Sequence, residues 1–269
     1  MPEHSSPLIT STANPHVKRV RALAADRRER RRERLFVLEG VRLVADALEH
    51  SASLALALYV PEQLVTTEAG NALLDQFRGR RDAFEATPQV LAAAADTVHP
   101  QGVVALARWP EVEPGKPGLV LVLDAVQDPG NVGTLLRSAE AVQVAQVLCT
   151  RGTADIYSPK VVRAAMGAHF RLATEQDLGW EEVAAQLAFV DHVYAADAGA
   201  NMPYFAADWR QPSALIVGNE AQGLSMEARD YASKLISIPM RGRAESLNAA
   251  VAGSVILFEA LRQRILGRS

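Results

Sequence analysis

Polar and glycine residues gather in three short segments in the second half of the chain, each directly after an apolar run. In the first segment, Asp128-Pro129-Gly130-Asn131 follows the apolar residues 119–123, and Arg137 comes six residues after Asn131. Loops that directly follow strands are where ligands bind in open α/β sheets. Asn131 could equally cap a helix, with Arg137 as a surface charge. Taken alone, this segment slightly favours the structural explanation.

The second and third segments combine glycines with amide and hydroxyl side chains. Val217-Gly218-Asn219-Glu220 continues to Gly223, and glycines let the backbone approach a ligand closely or adopt a positive φ. A tight surface turn would explain this segment as well. The third segment, residues 238–248, contains two arginines and enters the last predicted helix with Ser246 as its N-cap. That interpretation leaves Asn248 in the first turn unexplained, because asparagine is a mediocre helix former.

The elements that must position these segments follow from the hydrophobic pattern of the second half. Apolar runs of strand length predict strands at residues 119–123, 146–149, 192–196, 214–217 and 235–238. Helical spacing predicts helices at residues 132–142, at 158–167 with Ser158 as a capping hydroxyl, and from Ser246 onward. This alternation predicts an α/β fold with a mostly parallel sheet and helices on both faces. Ligands bind at the carboxyl ends of such strands, so the three segments should meet there.

The first half of the chain predicts a smaller α/β unit. Strands are expected near residues 37–40, 54–60 and 103–107, and helices at 41–48 and 69–77. A stretch rich in proline and glycine follows, which is typical of a linker. We therefore predict an N-terminal domain at residues 1–107, a linker at 108–117 and a C-terminal domain at 118–269.

Basic residues are concentrated at the N-terminus, although the formal net charge of the whole chain is only −3. Residues 1–34 contain nine Lys or Arg against four Asp or Glu, which leaves a net charge of −8 for the rest of the chain. A solvated, charge-laced helix would explain such a run. The density of arginine nevertheless favours contact with a polyanion, because neutralising phosphates releases counterions.

Several classes of protein are disfavoured by what the sequence lacks. No apolar run reaches the roughly 18 residues that span a bilayer, and the N-terminus has no apolar secretion signal. A single cysteine, Cys149, excludes an internal disulfide framework. The six histidines have no paired ligand spacing, so no metal is expected. The absence of a glycine-rich dinucleotide fingerprint argues against a nucleotide-dependent oxidoreductase. Because a membrane span, a secretion signal and a disulfide framework are all missing, we expect a soluble cytoplasmic protein.

Taken together, the three segments resemble the three motifs of the SpoU/TrmH family of RNA ribose 2′-O-methyltransferases, within the SPOUT superfamily. The matching residues, in order and in spacing, are Asp128, Pro129, Asn131, Gly133 and Arg137, then Gly218, Glu220, Gly223 and Leu224, then Ile238, Pro239, Met240, Ser246, Leu247 and Asn248. Residues 36–48 resemble, more weakly, a small domain related to ribosomal protein L30e. The chain departs from the family pattern at Ala221 and at Ala249-Ala250, where we expect altered packing rather than lost activity.

The resemblance implies a particular fold and cofactor. The C-terminal domain would carry a deep trefoil knot, and the N-terminal L30e-like domain would bind the RNA substrate. S-adenosylmethionine would be the cofactor, held largely by backbone groups of the second and third segments. Carried over to this sequence, the cofactor-binding residues are Gly218, Ile238, Met240, Leu247 and, from an adjacent strand, Ala196.

The resemblance also implies methyl transfer to a ribose 2′-hydroxyl, with Arg137 placed at that hydroxyl. Arg137 could act as general base, anchor the target phosphate or stabilise the developing alkoxide, and a guanidinium rarely gives up its proton. Asn131 and Glu220 would orient Arg137. Ser246 and Asn248 would shape the pocket and contact the ribose.

Substrate and assembly are implied in the same way. We expect 23S ribosomal RNA as the substrate, with a tRNA 2′-O-methyltransferase or a non-catalytic RNA-binding scaffold as alternatives. A homodimer with the knotted region at its interface is expected. The RNA-binding residues would be Lys18, Arg19, Arg21, Arg28, Arg31 and Arg32. The sequence leaves open the target nucleotide, and whether the modification is a housekeeping one or protects against a ribosome-targeting antibiotic.

Overall fold

The computed structural model describes residues 8–116, 118–243 and 246–267. Its strands are β1 (Leu35–Glu39), β2 (Leu54–Tyr59), β3 (Ala83–Glu85), β4 (Val103–Arg108), β5 (Leu119–Asp124), β6 (Gln146–Thr150), β7 (Thr174–Leu178), β8 (His192–Ala196), β9 (Met202–Pro203), β10 (Ser213–Gly218) and β11 (Lys234–Ser237). Its α-helices are α1 (Pro15–Ala25), α2 (Arg27–Glu33), α3 (Val41–Glu49), α4 (Pro61–Leu64), α5 (Glu68–Phe77), α6 (Pro88–Ala94), α7 (Pro129–Ala141), α8 (Pro159–Ala165), α9 (Trp180–Gln186), α10 (Met226–Tyr231) and α11 (Ala249–Leu266).

The strands predicted from apolar runs are confirmed, but one predicted helix start and one predicted capping hydrogen bond are wrong. The last helix begins at Ala249 rather than at Ser246, and its N-cap is Asn248. Ser158 does precede α8, yet its hydroxyl makes no capping hydrogen bond. Strands β3, β7 and β9, which are short or partly polar, were not predicted.

The described residues divide into two compact units. Unit 1 contains the chain up to Pro110 together with the segment Tyr157–Phe170, and unit 2 contains Glu111–Ile156 and the chain from Arg171 onward. The segment Tyr157–Phe170 therefore lies with the N-terminal residues, although it falls between β6 and β7 in the sequence.

Unit 1 is built on a four-stranded sheet with the order β1-β4-β2-β3. Strand β4 is antiparallel to both β1 and β2, whereas β3 is parallel to β2. The core between the sheet, α1 and α6 is filled by aliphatic side chains from all three, including Val20, Leu23, Leu56, Val90 and Leu106. Burial of such side chains contributes most of the stabilisation of a small domain.

Helices α1 and α2 carry the basic N-terminal run and follow ordinary capping rules. Asn14 accepts a hydrogen bond from the backbone N–H of His16, and Pro15 occupies the first turn of α1. The run of charges is not uniformly solvated, since Arg30 is only 4% exposed. Its Nη1 donates to the carbonyl oxygens of Leu23 (2.6 Å) and Ala24 (3.0 Å) near the end of α1. Arg30 thus links α2 to α1.

Aromatic rings hold the segment Tyr157–Phe170 within unit 1. Tyr157 stacks on Trp109 with ring centroids 4.3 Å apart and lies 5.1 Å from the ring of Phe36. The guanidinium of Arg163 also pairs with Asp96 at 2.7 Å. Aromatic contacts of this kind add roughly 0.5–1.5 kcal/mol each beyond the area that they bury.

Unit 2 is a seven-stranded, fully parallel sheet with the order β7-β6-β5-β10-β8-β11-β9. Helices α9 and α10 pack on one face, where Val183 and Ala228 join a core with Val120 and Ile216. The predicted α/β class, with helices on both faces of a parallel sheet and a smaller N-terminal sheet, is confirmed. In the described part of the chain, no helix has the length and apolarity needed to cross a membrane.

Helices α7 and α11 pack together on the other face and bring the C-terminal part of the chain back to the centre of the sheet. A Cβ on Gly253 of α11 would come within 2.5 Å of the Leu135 side chain and 3.1 Å of Val217, so the close approach requires glycine. Ser254 and Ser138 share a hydrogen bond of 2.7 Å between the two helices. This packing places the N-terminal end of α11 beside the carboxyl end of β10.

Candidate functional site

The carboxyl ends of β8, β10 and β11 and the start of α11 surround a cavity of about 420 Å³ in unit 2. Its lining residues are Ala196, Asp197, Ala198, Val217, Gly218, Asn219, Glu220, Gly223, Ile236, Ser237, Ile238, Met240, Ser246, Leu247, Asn248, Ala249, Ala252 and Ile256. Eight of the ten residues predicted for catalysis or cofactor binding are among them, and Asn131 and Arg137 are not. A mostly apolar cavity of this size with a few polar groups is typical of a small-molecule site.

Asn131 connects the three predicted segments through its amide group. Its Nδ2 donates to Oε1 of Glu220 at 2.8 Å, and its Oδ1 accepts from Nδ2 of Asn248 at 2.9 Å. Asn131 is 8% exposed and lies in the first turn of α7, where Asp128 caps the helix by accepting from its backbone N–H at 2.9 Å. The predicted convergence of Asn131, Glu220 and Asn248 is therefore present in the structure.

Glu220 clamps the second segment to the first. Besides the bond from Asn131, its carboxylate accepts hydrogen bonds from the backbone N–H groups of Gln127 (3.1 Å) and Asp128 (3.2 Å). Partial burial alone would raise the pKa of Glu220, but these hydrogen bonds outweigh it and lower the pKa below its ordinary value. The Glu220 carboxylate is therefore ionised at neutral pH, and both of its oxygens already accept hydrogen bonds.

Asn219 and Asp124, two residues that sequence reasoning missed, shape the loop after β10. The Asn219 side chain donates to the Ala125 carbonyl at 2.8 Å and accepts from two backbone N–H groups of its own loop, while its backbone pairs with Gly223. Asp124 is 2% exposed and accepts from the backbone N–H and hydroxyl of Ser225 at 2.7 and 3.1 Å. The position of Asp124 at the end of a predicted strand was the signal that could have identified it.

Gly218 and Gly223 permit the close turn between them. A Cβ on Gly218 would lie 2.6 Å from the Gly223 carbonyl oxygen, which no side chain tolerates. Gly223 has a φ of +71°, and the space where its Cβ would point is open. Glycine at position 218 is therefore required by the turn itself.

The third segment closes the cavity at the start of α11. The Oδ1 of Asn248 caps the helix by accepting from the backbone N–H groups of Ala250 (2.9 Å) and Val251 (3.2 Å). Met240 and Leu247 line the cavity while each remains 37% exposed. Between them, residues 244 and 245 lie outside the described part of the chain.

Arg137 stands apart from this network. It is exposed on α7 and makes no hydrogen bond or ion pair with the residues that the structure describes. We expected Asn131 and Glu220 to orient Arg137, but neither contacts it in the structure. Asn131 and Glu220 instead bind each other, backbone amides and Asn248.

The six predicted RNA-binding residues lie on α1 and α2 of unit 1, and all are exposed. Arg19 pairs with Glu33 at 2.6 Å, and Arg32 pairs with Glu29. Lys18, Arg21 and Arg28 have no ion-pair partner within the described ranges.

A fully parallel sheet with a cavity at the carboxyl ends of its strands defines an α/β domain built to bind a small molecule. The chain belongs to the SpoU rRNA methylase family, which matches residues 118–258. Residues 14–105 match the MRM3-like substrate binding domain. The family recognised from the three motifs is therefore confirmed, and with it the assignment of the chain as an RNA methyltransferase.

Two relatives are similar over nearly the whole chain. The 23S rRNA (uridine(2479)-2′-O)-methyltransferase of Streptomyces viridochromogenes is 31% identical, over 97% of this chain and 94% of that protein. The 23S rRNA (guanosine(2553)-2′-O)-methyltransferase RlmP of Bacillus subtilis is also 31% identical, over 93% of this chain and 97% of that protein. Among solved structures, the AdoMet-bound rRNA methyltransferase from Sinorhizobium meliloti has a TM-score of 0.81 at 32% identity, covering 96% of this chain and 98% of that one.

The bridging role of Asn131 leads to a prediction about pH. In Asn131→Asp, a second carboxylate that cannot donate faces Glu220, and like charge raises the pKa of one of the two carboxyls in the folded state. A raised folded pKa favours the native state at low pH, and this stability is lost as pH rises through that pKa. We expect Asn131→Asp to be about 2–4 kcal/mol less stable than wild type near pH 7. The deficit should shrink toward about pH 5, as measured by urea unfolding at both pH values.

Asn131→Ala is the control without an added charge: it removes the donation to Glu220, as Asn131→Asp does, and also the bond accepted from Asn248. Glu220 has a lowered pKa in wild type, so its contribution is lost only as pH falls through that lowered value, below this window. The deficit of Asn131→Ala should therefore be similar at both pH values. An equal deficit for Asn131→Asp at both pH values would contradict the bridge.

Proposed function

We propose that this chain transfers a methyl group from S-adenosylmethionine to a ribose 2′-hydroxyl of 23S ribosomal RNA. The observation that carries the proposal is the Asn248–Asn131–Glu220 network, which gathers three motif-bearing segments at one cavity. Two relatives that align over more than nine tenths of the chain are named as 23S rRNA methyltransferases, which supports ribosomal over transfer RNA. Mapping 2′-O-methyl sites in total RNA with and without the gene tests the proposal.

The cavity fits the cofactor of this family, S-adenosylmethionine, which two solved relatives contain. Its walls offer apolar side chains for an adenine ring, notably Ile238 and Leu247, and backbone groups at strand ends for polar atoms. Gly218 lines the cavity at the end of β10, and the space where a Gly223 Cβ would point is open. We assign cofactor binding to Gly218, Ile238, Met240, Leu247 and Ala196, all of which line the cavity.

The reaction needs an oxygen, a methyl carbon and a sulfur held in line, and alignment alone can supply roughly 7–11 kcal/mol of the barrier. When bound, the cofactor supplies a methyl group activated by its sulfonium. Transfer of this methyl group to the ribose oxygen would leave a neutral thioether, S-adenosylhomocysteine, and would release the hydroxyl proton to solvent. We assign Asn131, Glu220 and Asn248 to holding the loops in place, and Ser246, at the cavity rim, to contact with the ribose.

We assign Arg137 to the RNA side of the site. It is a permanent cation with five donors, and it has no partner among the described residues, so it can take a phosphate or a developing alkoxide. Anchoring or charge stabilisation suits a guanidinium better than accepting a proton.

A homodimer is the second part of the proposal, supported by an uncovered apolar stripe on α11. Val251, Val255, Phe258 and Ile265 recur at helical spacing, and between 36% and 59% of each is exposed. Contiguous exposed apolar surface of this kind marks an interaction site. A second copy of the chain, packing through the same stripe, is the partner that we propose.

A trefoil knot and a cytoplasmic location complete the proposal. Strand β11 lies two places from β10 in the sheet, yet the α11 that follows it packs on β10 and α7. The intervening chain must therefore return across the strand ends, and we propose that it does so through the loop after β10. We propose the location from the substrate, because ribosomes with 23S rRNA lie in the cytoplasm of bacteria, the source of the two 23S rRNA methyltransferases that resemble this chain.

The first prediction of this function concerns Arg137. Arg137→Ala should lower the single-turnover rate of methyl transfer to RNA by roughly 100- to 1,000-fold, the usual effect of removing one preorganised charge. Affinity for S-adenosylhomocysteine, measured by calorimetry, should stay near wild type because Arg137 does not line the cavity. Arg151→Ala, which removes another exposed arginine of unit 2, is the control and should keep its activity. A normal rate in Arg137→Ala would refute the assignment.

The second prediction concerns the basic face of α1 and α2. The triple variant Lys18→Ala, Arg21→Ala and Arg28→Ala should bind RNA more weakly at low salt. The slope of log affinity against log salt should fall by about 2, because each lost phosphate contact contributes roughly 0.7–0.9.

The matched control for the basic face is Arg42→Ala, Arg78→Ala and Arg81→Ala, which removes the same charge from other exposed positions of unit 1. RNA titrations at several salt concentrations compare the two triples. An equal loss of RNA affinity in the two triple variants would show that only net charge matters. It would refute the assignment of RNA binding to α1 and α2.

The third prediction concerns the apolar stripe. Phe258→Glu should convert a wild-type dimer into a monomer in sedimentation equilibrium, because it places a charge in the proposed apolar interface. Phe189→Glu changes a phenylalanine of similar exposure outside the stripe and should remain dimeric. A monomeric wild-type chain would refute the proposed dimer.

A further inference from the structure

One carboxylate that lines the cavity, that of Asp197, lies outside the Asn248–Asn131–Glu220 network. Asp197 is the first residue after β8 and lines the cavity between Ala196 and Ala198. Its side chain is only 17% exposed. A carboxylate in a largely apolar wall costs free energy unless it has partners, so its placement needs a physical reason.

Asp197 is held in one orientation. Its Oδ2 lies 2.5 Å from Nη2 of Arg229 on α10, and its Oδ1 accepts from the backbone N–H of Gly199 at 2.8 Å. Its own backbone N–H donates to the carbonyl of Ile236 at 2.9 Å, which fixes the residue against β11. The carboxylate can therefore present its remaining lone pairs in a fixed direction, which is how a binding group is preorganised.

Chemistry narrows what Asp197 can bind. A carboxylate has about four lone-pair sites and accepts only, and the two contacts from Arg229 and Gly199 leave room for further donors. Because Arg229 balances the negative charge, the pair has little attraction for a cation such as an ammonium group. Neutral O–H donors fit best, and two adjacent hydroxyls match the two oxygens of one carboxylate.

We propose that Asp197 accepts hydrogen bonds from the ribose hydroxyls of the nucleoside part of the bound cofactor. The proposal rests on the proposed function, because it assumes that S-adenosylmethionine occupies this cavity. Strand β8 pairs with β10, whose end carries Gly218, so Asp197 flanks the strand end where the ligand lies. Dinucleotide-binding parallel sheets provide a physical precedent, since an acidic residue there accepts a hydrogen bond from a ribose hydroxyl. Asp197 thereby selects ribonucleoside over deoxyribonucleoside ligands.

The test compares two ligands on the full chain by calorimetry: S-adenosylhomocysteine and its 2′,3′-dideoxy analogue. Wild type should bind the dideoxy analogue roughly 10- to 100-fold more weakly, as expected for lost hydrogen bonds to a charged acceptor. In Asp197→Asn and Asp197→Ala, affinity for S-adenosylhomocysteine should fall, and the two ligands should differ by less than about twofold.

Two control variants separate ribose binding from the loss of an ion pair. Arg229→Gln breaks the ion pair but keeps the carboxylate, so it should retain a preference for the ribose. Asp208→Asn disrupts a comparable pair, Asp208–Arg210 at 2.8 Å, at a residue that does not line the cavity, and it should behave as wild type.

The outcomes distinguish this inference from the function on which it rests. Wild type that binds both ligands equally would overturn the role of Asp197 and leave the methyltransferase assignment intact. A full ribose preference in the Asp197 variants would do the same. Failure of wild type to bind either ligand would overturn both.

Discussion

The site depends on a chain of hydrogen bonds in which each side chain can take only one orientation of its donor and acceptor atoms. The Oδ1 of Asn248 must face the N–H groups at the start of α11, which turns its Nδ2 toward Asn131. Asn131 must then accept with Oδ1 and donate with Nδ2, and the group receiving that bond must be an acceptor. Glu220 meets this condition, since its ionised carboxylate also accepts from the backbone of Gln127 and Asp128. One consistent assignment of donors and acceptors therefore fixes three loops together.

The positions of the strand ends make this chain of hydrogen bonds possible. Strands β5 and β10 are neighbours, so the loops that carry Asn131 and Glu220 begin side by side. Asn248 follows β11, farther along the sheet, and reaches the same place only because α11 packs back on α7 and β10. Gly253 permits that packing, since a larger residue would meet Leu135. Helix packing on one face thus determines the geometry of the cavity at the strand ends.

Much of this arrangement was predictable from the sequence, because buried parallel strands appear as apolar runs and their ends locate the ligand site. The start of α11 was not, because serine and asparagine are equally good N-caps, and residue type could not choose between Ser246 and Asn248. Asp197 was missed for a different reason. Like Asp124, it directly follows a predicted strand, but that position does not distinguish a binding group from a structural one. The tertiary placement of Arg229 and of the cavity makes that distinction. Similarly, a charge count could not show that Arg30 is buried.

Polar side chains in the site differ in how many of their hydrogen-bonding atoms are already engaged, and this difference separates structural residues from ligand-binding ones. The polar atoms of Asn131 and Glu220 are engaged with each other and with the loops. If these residues changed partners during a reaction, the loops around the cavity would lose the bonds that hold them. Groups that must engage a substrate need unused donors or acceptors before the substrate arrives. Arg137, which has none of its donors engaged by the described residues, and Asp197, whose carboxylate oxygens have one partner each at the cavity, meet that requirement. Residues that hold the site and residues that meet its ligands are then different residues, although the motifs contain both kinds.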